Sequence, residues 1–271
     1  EEREHILSSC YAGSMLMVLP LVGAAITAAL VDTAVSRYRL LRLEVDAWLP
    51  GVDEAVGVLE VVPDLPAQLP ELPFPLDGLG RDISAETLRH HHGEHERAYL
   101  DQAWQALQVV QPGQRRPTPR DWADLSYQVN AVLLHELYWQ NLRPDTRAPA
   151  PPSSVLLDRV EQDFGELSEL QSQLDELALS LRGSGWVMLA WSPSLRRMIL
   201  VPIDHHNDGG LLGAIPLLVL DMWEHAWYLD RTSDKQAYLD AFWNRVDWET
   251  VRRRYIQAVR NTDPHFSTLT L

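Results

Sequence analysis

Apolar and polar positions divide the chain into distinct regimes. Residues Ile6 to Val31 form an uncharged run, ILSSCYAGSMLMVLPLVGAAITAALV, longer than the roughly 20 residues that span a hydrocarbon core as helix. It predicts a membrane-spanning helix, although Ser8, Ser9, Ser14, Pro20 and Thr27 dilute its hydrophobicity. A processed leader and a buried core helix are the other readings of the same run. Leu7-Ser8-Ser9-Cys10 has the form of a lipobox but follows acidic residues rather than an apolar region. Arg37, Arg39 and Arg42 follow the run while only Arg3 precedes it. By the positive-inside tendency, its C-terminal side faces cytoplasm or matrix, at a bacterial plasma membrane or a mitochondrial inner membrane.

From Trp48 to Gly80 the pattern breaks down under Pro50, Pro63, Pro66, Pro70, Pro73 and Pro75, each of which blocks helix continuation. Residues 48–80 read as a Pro-rich acidic linker after an anchor over residues 1–47. Ser84-Ala85-Glu86-Thr87 then gives a helix start, and an amphipathic run continues to about Val110. Pro112, Pro117 and Pro119 interrupt it before a second helical pattern from about Trp122 to Leu142. Two helices joined by a Pro-rich turn make a hairpin, assigned to residues 81–150, which include most of the linker RPDTRAPAPPSS at 143–154. Residues 151–271 open with helical periodicity from Val155 to Arg182, stopped by Gly183-Ser184-Gly185. Trp186–Trp191, Met198–Ile203 and Pro216–Leu220 read as three strands, the last leading into DMWEH and a further helical stretch. The fold class is α+β, a helical hairpin followed by an α/β domain with a small three-stranded antiparallel sheet, plus the N-terminal transmembrane helix. No internal repeat is visible.

Composition narrows the chemistry. The 271 residues are 46% hydrophobic with a net charge of −15, so global disorder and phosphate-coating of nucleic acid are excluded. Cys10 is the sole cysteine, which removes intrachain disulfides and Cys-based zinc sites. Any metal must be held by histidines and carboxylates. His90, His91, His92 and His95 crowd one predicted helix, His135 the next, His205 and His206 a loop, and His225 follows the last strand. His91 and His95 are four apart, as are Asp221 and His225, so each pair can share one helical turn. Neutral imidazoles with a carboxylate suit Mn, Fe or Zn; taken singly, each histidine is more often a core residue with a satisfied hydrogen bond. No glycine-rich phosphate loop or nucleophile elbow is present.

From about Leu69 to Val259 the chain resembles the iron/manganese superoxide dismutase family. The matching stretches are LPELPFPLDGL at 69–79, ISAETLRHHHGEHERAYL at 83–100, HELYWQNLRP at 135–144, GSGWVML at 183–189, IPLLVLDMWEHAWYLD at 215–230 and YLDAFWNRVDWETV at 238–251. The resemblance implies a helical hairpin domain, an α/β domain and one Mn or Fe ion between them, held by His91, His135, Asp221 and His225. It implies dismutation of superoxide to oxygen and hydrogen peroxide, with the metal cycling between two oxidation states. Tyr99 resembles the gateway tyrosine and His95 its hydrogen-bonded neighbour; Trp186 and Trp223 correspond to an aromatic wall. Glu224 and Tyr228 resemble the pair that reaches across a homodimer interface.

Departures from the family pattern are specific. Ala131 occupies a position from which a side chain usually bonds the metal's solvent, and it cannot bond. The alternative loop position falls on His206, or on His205 if the register slips by one, so the resemblance implies a histidine variant with Mn and Fe both open. Glu96 stands where a second histidine often follows, Leu133 and Leu137 replace aromatics, and Trp227 replaces a tyrosine. Lys235, the only lysine, stands where Arg is common and would steer an anion toward a negatively charged protein. The sequence as a whole therefore predicts a membrane-anchored dismutase, with lipid or membrane subunits as partners of residues 6–31. The rival reading is a dismutase-like structural subunit of a larger, respiratory membrane complex.

Overall fold

The computed structural model describes residues 65–262. The apolar run at 6–31, and with it the expected transmembrane helix and its lipid or membrane-subunit partners, lies outside the described residues. Among the described residues no helix is long and apolar enough to cross a membrane.

Ser84 starts the first helix as its sequence predicts. Its hydroxyl accepts from the Thr87 amide at 3.1 Å and caps α1 (Ala85–His90). The helix then widens into a π turn over His91–Glu96 and returns to α geometry as α2 (Arg97–Val109). Such turns are rare and recur at functional sites. The second hairpin helix, α3 (Pro119–Gln140), begins about one turn before the expected Trp122. Thr118 and Asp121 form a capping box, the Thr118 amide donating to Asp121 at 2.6 Å, with Pro119 in the first turn. The proline that reads as an interruption is the helix's first residue. Leu100 and Ala103 of α2 pack on Val132 of α3, and Leu65 and Leu69 cover that cluster. Phe74 and Leu79, also within the segment read as linker, are buried in the main core.

The helix expected over 155–182 is two, α4 (Ser154–Phe164) and α5 (Leu167–Ser180). Gly165 ends α4 with φ of 97°, a conformation that favours glycine. The sheet has four antiparallel strands rather than three: β1 (Gly185–Ser192), β2 (Arg197–Asp204), β3 (Asp208–Gly209) and β4 (Ile215–Asp221), in the order β3-β2-β1-β4. β3 is two exposed residues, too short to leave an alternation in sequence. β1 and β4 are buried along their whole length, which is why they read as continuous apolar runs.

Three helices complete the chain described: α6 (Glu224–Arg231), α7 (Lys235–Arg245) and α8 (Trp248–Thr262). α8 contributes Arg254, buried to 4% exposure. Its guanidinium donates to the carbonyls of Leu137 and Leu217, both at 3.2 Å, and to Asn141 Oδ1 at 3.3 Å. Asn141 in turn donates to Val219 O at 3.2 Å and accepts from Val219 N at 3.0 Å. These bonds lock the C-terminal end of α3 to β4, the two elements that carry His135 and Asp221.

Candidate metal centre

Four donors converge where the hairpin meets the sheet. His91 comes from the π turn, His135 from α3, Asp221 from the last position of β4 and His225 from the first turn of α6. One ligand atom from each lies within 4.8 Å of all the others. Asp221 Oδ2 is 3.1 Å from His91 Nε2, 3.3 Å from His225 Nε2 and 3.9 Å from His135 Nε2. All but His225 are buried outright, and its side chain is only 7% exposed.

Protonation follows from the surroundings. Burial pulls His91 down to about 4 and His135 well below its usual range, so both imidazoles are neutral at pH 7. For Asp221 burial works toward a higher value, but the histidines around it dominate and hold it below the usual carboxylate range. His135 Nδ1 lies 2.6 Å from the Ala131 carbonyl. A carbonyl only accepts, so Nδ1 carries the proton and Nε2 keeps a free lone pair. His135 Nε2 and His91 Nε2 are buried with no hydrogen-bond partner, a costly state for a polar atom unless a ligand meets it. Three imidazoles and one carboxylate, with the unpartnered nitrogens of His91 and His135 among them, fit a divalent or trivalent Mn or Fe ion.

Asp221 is fixed twice more. The Trp223 amide donates to its Oδ1 at 2.8 Å, and the Tyr238 hydroxyl donates to its backbone carbonyl at 2.8 Å. Around the donors lies an aromatic shell. Trp186 is fully buried and donates through Nε1 to His206 Nδ1 at 3.0 Å. Trp223 stacks on His206 at 4.4 Å and 7°, and on His225 at 5.6 Å and 6°. Tyr99 meets His206 edge-on at 4.8 Å and lies 5.6 Å from the His135 ring. His95 places its ring 4.7 Å from that of His225.

Of the two loop histidines, His206 faces the site and is 1% exposed. His205 is exposed, with φ of 54°, and the turn it makes rotates its neighbour inward. Tyr99, His95, Trp223, Glu224 and Tyr228 line an opening of about 590 Å3 together with His90. Glu224 is exposed and Tyr228 is 54% exposed, beside Leu229 at 55%. Lys235 does not line this opening; its Nζ sits 5.5 Å above the ring of buried Trp227.

Sequence reasoning misses Tyr127 and Trp139 as part of the shell, and names Glu96 without its role. Glu96 is fully buried, accepts from Trp139 Nε1 at 2.7 Å and lies beside Glu136. Burial and that second acid raise its carboxyl, so it is protonated at neutral pH. Trp139 in turn lies edge-on to His91 at 4.6 Å. Tyr127 contacts both Tyr99 and His206. Trp139 and Tyr127 stand four residues after and eight before His135, so the α3 face that carries the ligand was itself the available signal.

The model for "Iron/manganese superoxide dismutases, alpha-hairpin domain" matches residues 67–143, and that for "Iron/manganese superoxide dismutases, C-terminal domain" matches 152–254. "Superoxide dismutase [Fe]" of Methanothermobacter thermautotrophicus is 35% identical over 192 residues, 69% of this chain and 94% of that protein. "Superoxide dismutase [Mn/Fe]" of Propionibacterium freudenreichii subsp. shermanii is 33% identical over 194 residues, 70% and 96% of the two chains. "Superoxide dismutase [Mn]" of Haloarcula marismortui is 32% identical over 202 residues, 71% and 95%. These relatives correct the expected membrane-anchored location. They are nearly whole within the matched region, so the likeness carries no anchor with it, and an apolar run read by length alone does not establish one.

Proposed function

Because the chain belongs to the iron/manganese superoxide dismutase family, we propose that His91, His135, Asp221 and His225 hold the metal ion of its active site. The enzyme is a superoxide dismutase that uses iron or manganese. The observation that carries the assignment is the convergence of these four donors, with His91 and His135 buried and neutral beside the Asp221 carboxylate. When bound, the metal supplies one-electron oxidation and reduction, so that one superoxide leaves as oxygen and the next as hydrogen peroxide.

The chain's own residues do the rest. Asp221 supplies the only protein anion among the donors, and the Trp223 amide and Tyr238 hydroxyl hold it in place. Trp186 and Trp223 exclude water from the donors. His206, whose Nδ1 accepts from Trp186, carries its proton on Nε2, and that nitrogen is buried and unpartnered. In this reading Nε2–H donates toward bound substrate, the part that Ala131 cannot play. Tyr99 delivers a proton to the peroxide product, with His95 beside the same opening. Lys235 stays a candidate for steering only through its charge outside the opening.

Family members are generally homodimers or tetramers. A homodimer through Glu224 and Tyr228 is supported by their exposure on α6 next to exposed Leu229. The hairpin domain is assigned to 81–150 and the α/β domain to 151–271, after a linker at 48–80 whose end packs on the hairpin. A purely structural subunit is not favoured, since the donors and their shell are complete. The test is to strip the protein with a chelator and reload it separately with Mn, Fe and Zn. Mn or Fe is expected to restore dismutation and redox-silent Zn to fill the site without activity; equal turnover with no metal would refute the assignment.

A further inference from the structure

Ala131 leaves α3 without a hydrogen-bonding side chain at the donor cluster, yet the same helix face carries a hydroxyl one turn earlier. Tyr127 lies four residues before Ala131 and eight before His135, so it stacks above them on that face. Its ring meets the His206 ring edge-on at 4.7 Å and 81°, and the Tyr99 ring at 6.4 Å. His206 is thereby held from several directions: the Trp223 stack at 4.4 Å, the Tyr99 edge at 4.8 Å, the Tyr127 edge and the Trp186 donor at 3.0 Å. The two tyrosines face each other edge-on, and their hydroxyls are near enough to act on one another. Tyr127 is also the less buried of the two.

We propose that Tyr127 is a positioning residue of the dismutation reaction, whose hydroxyl aims the Tyr99 hydroxyl and returns protons to it from the solvent side, while its ring edge fixes His206. The proposal rests on the placement of Tyr99 and His206 in the active site described above. Two superoxide ions and two protons give one oxygen and one hydrogen peroxide. A proton that Tyr99 gives to the product is replaced from the Tyr127 hydroxyl, which takes one from water in turn. Nothing in this path requires Tyr127 to touch substrate or metal. Its contribution falls on the step in which product is protonated and released, not on capture of superoxide.

Tyr127→Phe keeps the ring against His206 and removes only the hydroxyl. A positioned proton donor is worth 10²–10⁴-fold, and because water can substitute for a relay one step removed, a fall of about tenfold in kcat is expected. kcat/KM is expected to stay within about twofold, since capture precedes the proton step, and metal content to stay unchanged. Millimolar ammonium or imidazolium as an external acid should restore most of kcat, which a merely structural defect would not allow. Unchanged kcat would overturn the proposal, as would loss of metal, or kcat and kcat/KM falling together without rescue. Failure of the underlying site assignment shows elsewhere, in Asp221→Asn, which loses metal and turnover only if the four donors are correct.

Discussion

Asp221→Asn isolates the charge of the donor set with almost no change in size. The asparagine oxygen can still accept from the Trp223 amide, which reaches Asp221 Oδ1 at 2.8 Å. Its amide nitrogen then stands where Oδ2 lies 3.1 Å and 3.3 Å from His91 and His225 Nε2. Two things are lost: the only anion among the donors, and a lone pair facing the common point, now replaced by N–H bonds. One unit charge within about 3 Å of a cation is worth at least about 5 kcal/mol at an effective dielectric constant of about 20. At about 1.4 kcal/mol per decade, affinity for Mn or Fe falls by more than about a thousandfold. The assay is metal content by mass spectrometry after dialysis against a weak chelator, with the superoxide decay rate measured on the same sample. The variant is expected to keep its fold, hold less than about a tenth of an ion per chain and lose turnover in proportion. Stoichiometric metal with an unchanged rate would refute the reasoning, because the carboxylate would then not belong to the donor set.

Other perturbations test separate links. The metal-free protein should lose stability as pH falls from about 6.5 toward 4. His91 takes up its proton near 6.5 when unfolded and only near 4 when folded, so the unfolded state binds more protons in that window. At about 1.36 kcal/mol per pH decade this is up to about 3 kcal/mol, seen in urea titrations across pH, and a flat profile would contradict neutral buried imidazoles. His206→Leu leaves the Trp186 indole N–H, fully buried, without its acceptor. It should cost about 1–3 kcal/mol in unfolding free energy and lower kcat while metal content holds; wild-type kcat would remove His206 from the reaction. Arg254→Met unpairs the carbonyls of Leu137 and Leu217. It should destabilise by about 1–3 kcal/mol in calorimetry, and a negligible shift would mean that α3 and β4 are tied by packing alone.

Much of this architecture is legible in sequence because the strongest signals are local. Ser84 with Thr87 marks a cap, and the three long strands are apolar runs whose extents nearly coincide with β1, β2 and β4. The four donors are placed by a resemblance spread along both domains, which no single histidine spacing could supply. What sequence hides is geometry that depends on one torsion or one partner. Gly165 divides a helix that periodicity joins, and β3 exists only because two residues pair with Ile203 and Asp204. The choice between His205 and His206 turns on a left-handed residue in a loop. Glu96 reads only as the residue that stands where a second histidine often follows, and the fold alone shows it buried against Trp139 and beside Glu136. The π turn beneath His91 has no sequence signature at all, and it sets how far that ring reaches into the cluster.

The most direct test of the account is a stopped-flow measurement of superoxide decay at catalytic enzyme concentration, on protein whose metal content is determined in the same preparation. One Mn or Fe ion per chain and a decay rate that scales with that metal content are predicted, with hydrogen peroxide formed at one per two superoxide ions consumed. Protein that carries its full complement of Mn or Fe and leaves the spontaneous decay of superoxide unchanged would contradict it.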